Sequence, residues 1–185
     1  MSLSRVKKDI LEKLWEDSVP LQAADLSRRL NLKYQVVLMN ISELEKMGYV
    51  ESKQKGYYSI TEPGREALGL PLLTAELAQK IVSPVPVERA FHFFTGIGNY
   101  TGVSATSLQD FCEKIKTIDK RSVRFHFSRG DFEKWFEFLG DKELAKRTSL
   151  LKKKEMSDEQ FKDALYNLVK NRCSEIKIIL TSKQA

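Results

Sequence analysis

Three segments near the start of the chain place apolar residues three or four positions apart, the spacing of a helix with one buried face. The first segment contains Val6, Ile10, Leu11 and Leu14 and ends near Trp15. The other two contain Ala24, Leu26 and Leu30, with Leu32 at the turn, and then Val37, Ile41 and Leu44. The pattern therefore predicts three consecutive amphipathic helices.

Turn residues separate these helices and then introduce a hairpin. Pro20 follows the first helix, Asn31 tolerates the left-handed backbone of a helix end, and Gly48 has the position of a C-terminal glycine. Residues 49–53 and 57–61 are rich in aromatic and β-branched side chains and are joined by turn residues. Helices followed by such a hairpin predict a winged helix-turn-helix.

Two segments of this region carry more specific motifs. ELEKMGYV contains the end of the third helix, and YYSITEPGREAL contains the second wing strand and a closing helix that begins at Pro63. With these motifs, residues 3–69 resemble the winged-helix family of prokaryotic transcription regulators. The resemblance implies that the second helix of the motif enters the major groove of DNA while the wing meets phosphates.

The resemblance also assigns groove-facing positions. They are Lys33, Tyr34, Gln35, Leu38, Met39 and Ser42. Gln pairs with adenine and Lys with guanine or phosphate, so most of these residues suit the task. Leu38 and Met39 do not, because they make the helix apolar nearly all round, which is typical of a helix packed on two sides. The alternative is a protein-protein adaptor that docks through Val36, Leu38 and Met39.

Charge is distributed unevenly along the chain. Residues 1–70 hold 11 basic and 10 acidic side chains, whereas residues 71–185 hold 20 and 15, so most of the net charge of +6 lies outside the first domain. Phosphate neutralisation supplies most non-specific affinity, so DNA binding would depend on local basic clusters. These are Arg28 with Arg29, Lys53 with Lys55, and Lys7 with Lys8. The alternative is that they are ordinary solvated faces.

Composition indicates a soluble globular protein, with 42% apolar and 30% charged residues. No apolar run is long enough to span a bilayer, and the N-terminus lacks the apolar core of a signal peptide, so we expect a cytoplasmic protein without membrane contact. Cys112 and Cys173 fit reduced, buried thiols. Together with His92 and His126 they match no known zinc spacing, so neither a metal nor a cofactor is predicted.

Pro and Gly positions predict three parts of the chain. Residues 1–70 form the winged helix-turn-helix domain, residues 71–86 a linker with a short helix and a Pro-containing connector, and residues 87–185 a mostly helical domain. The fold class is therefore mainly α with a small β-wing. Winged-helix regulators often dimerise through elements beside the reader, so the helix over residues 73–81 is a candidate homodimer seam. Packing within the chain is the alternative.

The third part begins with the aromatic run 91–94, which we assign to the helical region, and the loop TGIGNYTG. The glycine spacing of that loop fits neither a P-loop nor a dinucleotide fingerprint. Helix starts are predicted at Ser107, Asp131, Asp141, and Ser157 or Asp158. The tail alternates at Ile176, Ile178 and Leu180 as a strand would, with a continued helix as the alternative.

A distinctive motif runs through this part. It consists of Ser107-Leu108, Phe111, Ser122, Phe125-His126, Arg129, Asp131-Phe132, Trp135 and Leu139-Gly140-Asp141. With it, residues 89–147 resemble a small uncharacterised domain that recurs in prokaryotic proteins, a resemblance that names no activity. Three polar residues of this motif stand among aromatic side chains: His126, Arg129 and Asp131. This combination favours a site for a small anionic ligand or for acid-base chemistry.

The alternative is that His126 is hydrogen-bonded in the core and Arg129 pairs with a carboxylate. One histidine without a nucleophile is weak support for catalysis, so the chain is not predicted to be an enzyme. The combined interpretation is a cytoplasmic prokaryotic transcription regulator that binds DNA as a homodimer. Its C-terminal domain would sense a ligand or a protein partner.

Overall fold

The computed structural model describes residues 3–17 and 19–182, and the chain divides after Leu72 into two compact units. Each unit has its own hydrophobic core. Helices dominate, and the strands form two small antiparallel sheets. The predicted fold class, mainly α with a small β-wing, is confirmed.

In the described residues of the first unit the chain forms four helices and a three-stranded antiparallel sheet. Its elements are α1 (Arg5–Asp17), β1 (Leu21–Gln22), α2 (Ala23–Leu30), α3 (Tyr34–Lys46), β2 (Val50–Gln54), β3 (Tyr57–Ile60) and α4 (Glu62–Ala67). β3 lies between β1 and β2, with Leu21 opposite Tyr58 and Val50 opposite Ile60. The hairpin of β2 and β3 is the predicted wing.

The three apolar stripes meet in the core of this unit. Ile10, Leu11 and Leu14 of α1 and Val37, Ile41 and Leu44 of α3 are all buried. In α2 the prediction for Ala24 is wrong, since Ala24 is exposed and Ala23 is buried. Ala23 precedes Leu26 by three residues and Leu30 by seven, so these three share one helical face.

Backbone conformation explains two of the helix ends and one close approach. Asn31 and Gly48 have φ values of 52° and 74°, the left-handed conformation expected after α2 and α3. A Cβ on Gly64 would lie 2.2 Å from the carbonyl oxygen of Tyr49. Glycine is therefore required where α4 starts against the end of the α3–β2 turn.

Up to residue 182, the last one described, the second unit forms six α-helices and a two-stranded sheet. Its elements are α5 (Ala75–Val82), a 3-10 turn (Val87–Arg89), β4 (Phe91–Phe94), β5 (Tyr100–Ala105), α6 (Leu108–Thr117), α7 (Lys120–Arg129), α8 (Asp131–Leu139), α9 (Lys142–Leu151) and α10 (Asp158–Ser182). β4 and β5 pair antiparallel, with Phe91 opposite Ala105. The predicted helix starts after Ser107 and Asp141 are seen, since each side chain caps its helix by accepting a backbone N–H.

Two predictions for this unit are wrong. The aromatic run is a strand, in which Phe91 and Phe93 are buried while His92 and Phe94 are half-buried, the alternation of a sheet with one covered face. The tail is not a strand but part of a continuous helix, which is the alternative that the sequence left open. Its buried residues Phe161, Leu165, Val169, Arg172 and Ile176 recur every three or four positions, which only a helix can bring onto one face.

Helix α5 packs within the second unit. Ala78 and Ile81 are fully buried in that unit's core, and Leu73 and Leu77 pack against it. The apolar face assigned to a homodimer seam is thus covered by the same chain, which is the alternative interpretation of packing within the chain.

A buried ion cluster joins the start of α9 to α10. Nε and Nη2 of Arg172 donate to the two carboxylate oxygens of Asp141 at 2.8 and 3.0 Å, and Nη1 lies 2.9 Å from Glu175 and 3.4 Å from Glu143. Burial alone would lower the pKa of Arg172, but the hydrogen bonds and charge of Asp141 outweigh it and raise that pKa. Asp141 also caps α9 by accepting the N–H of Leu144 at 3.0 Å.

Candidate functional site

The residues predicted to face a DNA groove lie mostly on the exposed side of α3. Lys33, Tyr34, Gln35 and Ser42 are exposed, and Met39 is 59% exposed. Leu38 differs from the prediction, because it is half-buried against the core of the first unit. The polar candidates therefore form one accessible surface, with Met39 as its large apolar member.

The predicted basic clusters are largely engaged in surface ion pairs. Arg28 pairs with Asp25, Arg29 with Asp17, Lys53 with Glu51 and Lys7 with Glu43. Lys33 and Lys55 have no ion pair with any residue in the described ranges. Exposed pairs contribute little free energy, so these basic groups can exchange a carboxylate for a phosphate.

The second unit contains a pocket of about 520 Å³. β4, the loop that follows it, α7 and α8 form its walls, and the predicted trio His126, Arg129 and Asp131 lies together in it. Most of the remaining lining is aromatic or aliphatic and comprises Ala90, Phe91, Phe94, Ile97, Phe125 and Trp135. The structure thus brings together the residues predicted from sequence and adds walls from β4 that the sequence did not indicate.

His126 is hydrogen-bonded at both ring nitrogens. The backbone N–H of Phe94 donates to Nε2 at 2.9 Å, so Nδ1 carries the proton of the neutral ring and donates to Oδ2 of Asp131 at 2.9 Å. Burial lowers the pKa of His126, although the hydrogen bond and charge of Asp131 oppose the effect. His126 therefore ties β4 to α7 and α8, as the alternative interpretation expected, and keeps no free nitrogen for proton transfer.

Asp131 accepts hydrogen bonds from both other members of the trio. Besides the bond from His126, its Oδ2 accepts Nε of Arg129 at 3.1 Å. The helix predicted to start at Asp131 does begin there, but Asp131 is its first helical residue and not its cap, because Gly130 holds the cap position of α8 with φ 72°. Arg129 also lies over the ring of Phe125, with 5.2 Å between its guanidinium carbon and the ring centroid.

The other candidate groups are hydrogen-bonded or at least partly buried, and Cys173 is half-buried where a buried thiol was predicted. Nε2 of His92 donates to the carbonyl of Val87 at 3.1 Å, and Nδ1 accepts the hydroxyl of Ser104 at 3.0 Å. Burial raises the pKa of Cys112, and it raises the pKa of Cys173 to about 12. Within residues 3–17 and 19–182 no group of three or more His, Cys, Asp and Glu residues is placed to hold a metal ion.

None of the described helices is both long and apolar enough to cross a membrane.

Stability should depend on pH through His126. Its pKa in the folded chain lies below the ordinary 6.5, so between those two values the unfolded chain binds more protons. This contribution is fully present above about pH 7 and is lost as the pH falls below 6.5 towards the folded pKa. We expect the loss of Tm between about pH 7.5 and 5.5 to be smaller in His126→Gln than in the wild type. Equal losses in the two proteins would contradict a buried neutral His126.

Comparisons with known proteins give two findings. A family described as "Family of unknown function (DUF5752)" matches residues 65–170. The crystal structure of T. acidophilum IdeR is similar to part of the chain, with 28% identity and a TM-score of 0.32 over 44% of this chain and 36% of that one. The match therefore spans about a third of the length of that protein. No curated protein matches the chain.

Proposed function

The chain belongs to the DUF5752 family, whose function is unknown, and we propose that it is a cytoplasmic transcription regulator of prokaryotic type. In this proposal the first unit binds DNA and the second unit senses a small anionic molecule or a partner. The observation that carries the proposal is the exposed polar surface at the start of α3, together with two exposed lysines, Lys53 and Lys55, in the β2–β3 hairpin of the same unit.

The way α3 is held supports this use. Val37, Ile41 and Leu44 fix one side of the helix to the core, which leaves Lys33 and Gln35 exposed at its N-terminal end. In helix-turn-helix proteins the N-terminal residues of the recognition helix contact base edges. Gln35 suits adenine, and Lys33 suits guanine or a phosphate.

The second unit is proposed to bind and not to catalyse. His126 and His92 each use both ring nitrogens in hydrogen bonds within the chain. A general base needs a nitrogen that reaches the substrate. The homodimer stays a prediction, and a surface other than the buried face of α5 would have to form it.

The wing provides the first test. Changing Lys53 and Lys55 to Ala should weaken DNA binding about equally for all sequences and flatten the dependence of log K on log salt by up to about 2. Lys53 can contribute because its ion pair with Glu51 is exposed and readily exchanged. Fluorescence anisotropy of labelled duplexes over a salt series measures both effects.

A matched control keeps the same change in net charge. Lys120→Ala with Arg121→Ala removes two exposed basic groups from the second unit, and it should leave the salt slope unchanged. If the wing variant also keeps the wild-type slope, the wing does not contact DNA.

An adaptor is the second candidate function, favoured by the exposed side chain of Met39. In this case α3 docks on a protein through Met39, with part of Val36 and Leu38 at the edge. Exposed methionine is common at adaptable binding surfaces.

Met39→Ser separates the two candidates. Because Met39 is exposed, the change should alter the free energy of unfolding by less than about 0.5 kcal/mol. A regulator should keep its DNA affinity and shift its sequence preference at most, because Met39 can only touch thymine methyl groups. Anisotropy on a panel of duplexes and denaturant unfolding check this. Loss of a cellular protein partner with unchanged DNA binding would favour the adaptor.

A further inference from the structure

The pocket of the second unit has the dimensions and lining of a small-molecule site. Its volume of about 520 Å³ lies within the range usual for such sites, which are mainly apolar with a few placed polar groups. The rings of Phe94, Phe125 and Trp135 line it. The indole N–H of Trp135 donates to the carbonyl oxygen of Arg89 at 3.1 Å. Trp135 therefore lines the pocket with its apolar ring.

The polar part of the pocket has an excess of positive charge. Arg129 and Lys134 are cationic, His126 is neutral, and Asp131 is the one carboxylate among the lining residues. Asp131 already accepts bonds from both His126 and Arg129 through the same oxygen. The lining therefore has one cation more than it can neutralise.

Donors for an anion are available on both cations. Arg129 uses Nε towards Asp131, and neither Nη1 nor Nη2 donates to another described residue. Lys134 forms no ion pair within the described part of the chain. A guanidinium held in place by a carboxylate and an aromatic face is already oriented for a planar anion such as a carboxylate.

An apolar side chain stands at the loop side of the pocket. Ile97 lines the pocket and is 88% exposed, between Gly96 and Gly98 in the turn that joins β4 to β5. Isoleucine in such a position exposes nearly all its apolar surface to water. A bound ring would cover part of that surface, which favours an apolar ligand body over a fully polar one.

We infer that this pocket binds a small aromatic carboxylate. The ring lies among Phe94, Phe125, Trp135 and Ile97, and the carboxylate accepts hydrogen bonds from the terminal amino groups of Arg129 and from Lys134. The inference rests on the proposed sensing role of the second unit and names the chemical class that it senses.

The test uses the full chain and a pair of fluorinated probes. 4-Fluorophenylacetate should bind saturably in 19F NMR titrations, and its uncharged analogue 4-fluorophenylacetamide should bind about 10- to 100-fold more weakly, because hydrogen bonds to a charged group are the stronger ones. Equal affinity for the two probes would overturn the inference, as would the absence of saturable binding by the acid. Displacement of the acid by an equal concentration of inorganic phosphate would overturn the choice of carboxylate.

Single variants test whether 4-fluorophenylacetate binds in this pocket. Arg129→Gln and, separately, Lys134→Gln should each weaken 4-fluorophenylacetate about 10-fold or more. Arg124→Gln is the matched control, since Arg124 is an exposed arginine of the same helix that does not line the pocket. Wild-type affinity in both pocket variants would overturn the inference. Circular dichroism melting of each variant verifies that the second unit is folded.

DNA binding without any probe is measured on the same preparations, so that the two proposals fail separately. If DNA binds and the acid does not, the ligand class is wrong and the regulator proposal stands. If the acid binds and DNA does not, the pocket inference stands and the regulator proposal is wrong.

Discussion

Replacing Arg172 with Met is expected to lower the free energy of unfolding of the full chain by about 3–5 kcal/mol. Arg172 is buried and is the cation of a cluster with Asp141 and Glu143, which are also buried. Without it the carboxylate of Asp141 stays in the core without its counter-charge, the costly way to break a buried ion pair, while Glu143 keeps its ion pair with Arg147. Urea unfolding followed by circular dichroism measures the loss.

Two further variants serve as controls for that result. Arg121→Met removes an exposed arginine that pairs with Asp119 and should change stability little, because the pair is solvated. Adding Asp141→Asn to Arg172→Met should recover part of the loss, since it removes one uncompensated charge while Asn can still cap α9. A loss below about 1 kcal/mol for Arg172→Met would mean that water reaches the cluster.

Phe111→Ala should have a comparable effect, again about 3–5 kcal/mol. Phe111 is fully buried in the aromatic core beneath the pocket, where its ring stacks on Phe93 at 5.5 Å and Trp135 at 5.5 Å. Truncation leaves a cavity in a close-packed site and removes these ring contacts. Urea unfolding again provides the measurement.

The matched control for this change is Phe138→Ala. Phe138 is 46% exposed, so the same truncation should cost much less, about 1 kcal/mol or below. Similar losses at the two positions would contradict the full burial of Phe111 in the aromatic core. Because Trp135 lines the pocket, Phe111→Ala is also expected to weaken binding of the aromatic probe.

The helices of the first unit could be predicted from sequence because their apolar patterns are long and turn residues mark where the helices end. Helices α1 and α3 each bury three or more apolar residues at helical spacing, and Asn31 and Gly48 mark where helices end. The strand β1 was not predicted, since two residues carry no period. Its existence follows only from pairing with β3.

In the second unit short patterns were ambiguous. A four-residue run such as Phe91–Phe94 has too few positions to separate a strand from a helix, and pairing with β5 decides the matter. The two-residue spacing typical of a strand occurs in the tail by coincidence, at Ile176, Ile178 and Leu180. The burial of Arg172 and Ile176 on one side shows which period the chain uses.

Part of the candidate site could be predicted from the sequence. His126, Arg129 and Asp131 lie within six positions of each other, so their grouping across the α7–α8 turn could be predicted. The partner of His126 on β4 is a backbone N–H, that of Phe94, and no sequence pattern marks it. Ile97 and Lys134 join the pocket only through the packing of their elements.

An electrophoretic mobility shift of genomic fragments over a salt series tests the proposed binding of DNA by the first unit. We expect a discrete shifted band at low salt that weakens steeply as salt rises, with a few fragments retained longest. Gln35→Ala should change which fragments are retained, because Gln35 is exposed at the start of α3. No shift at low salt, or a shift that is insensitive to salt, would contradict DNA binding by this protein.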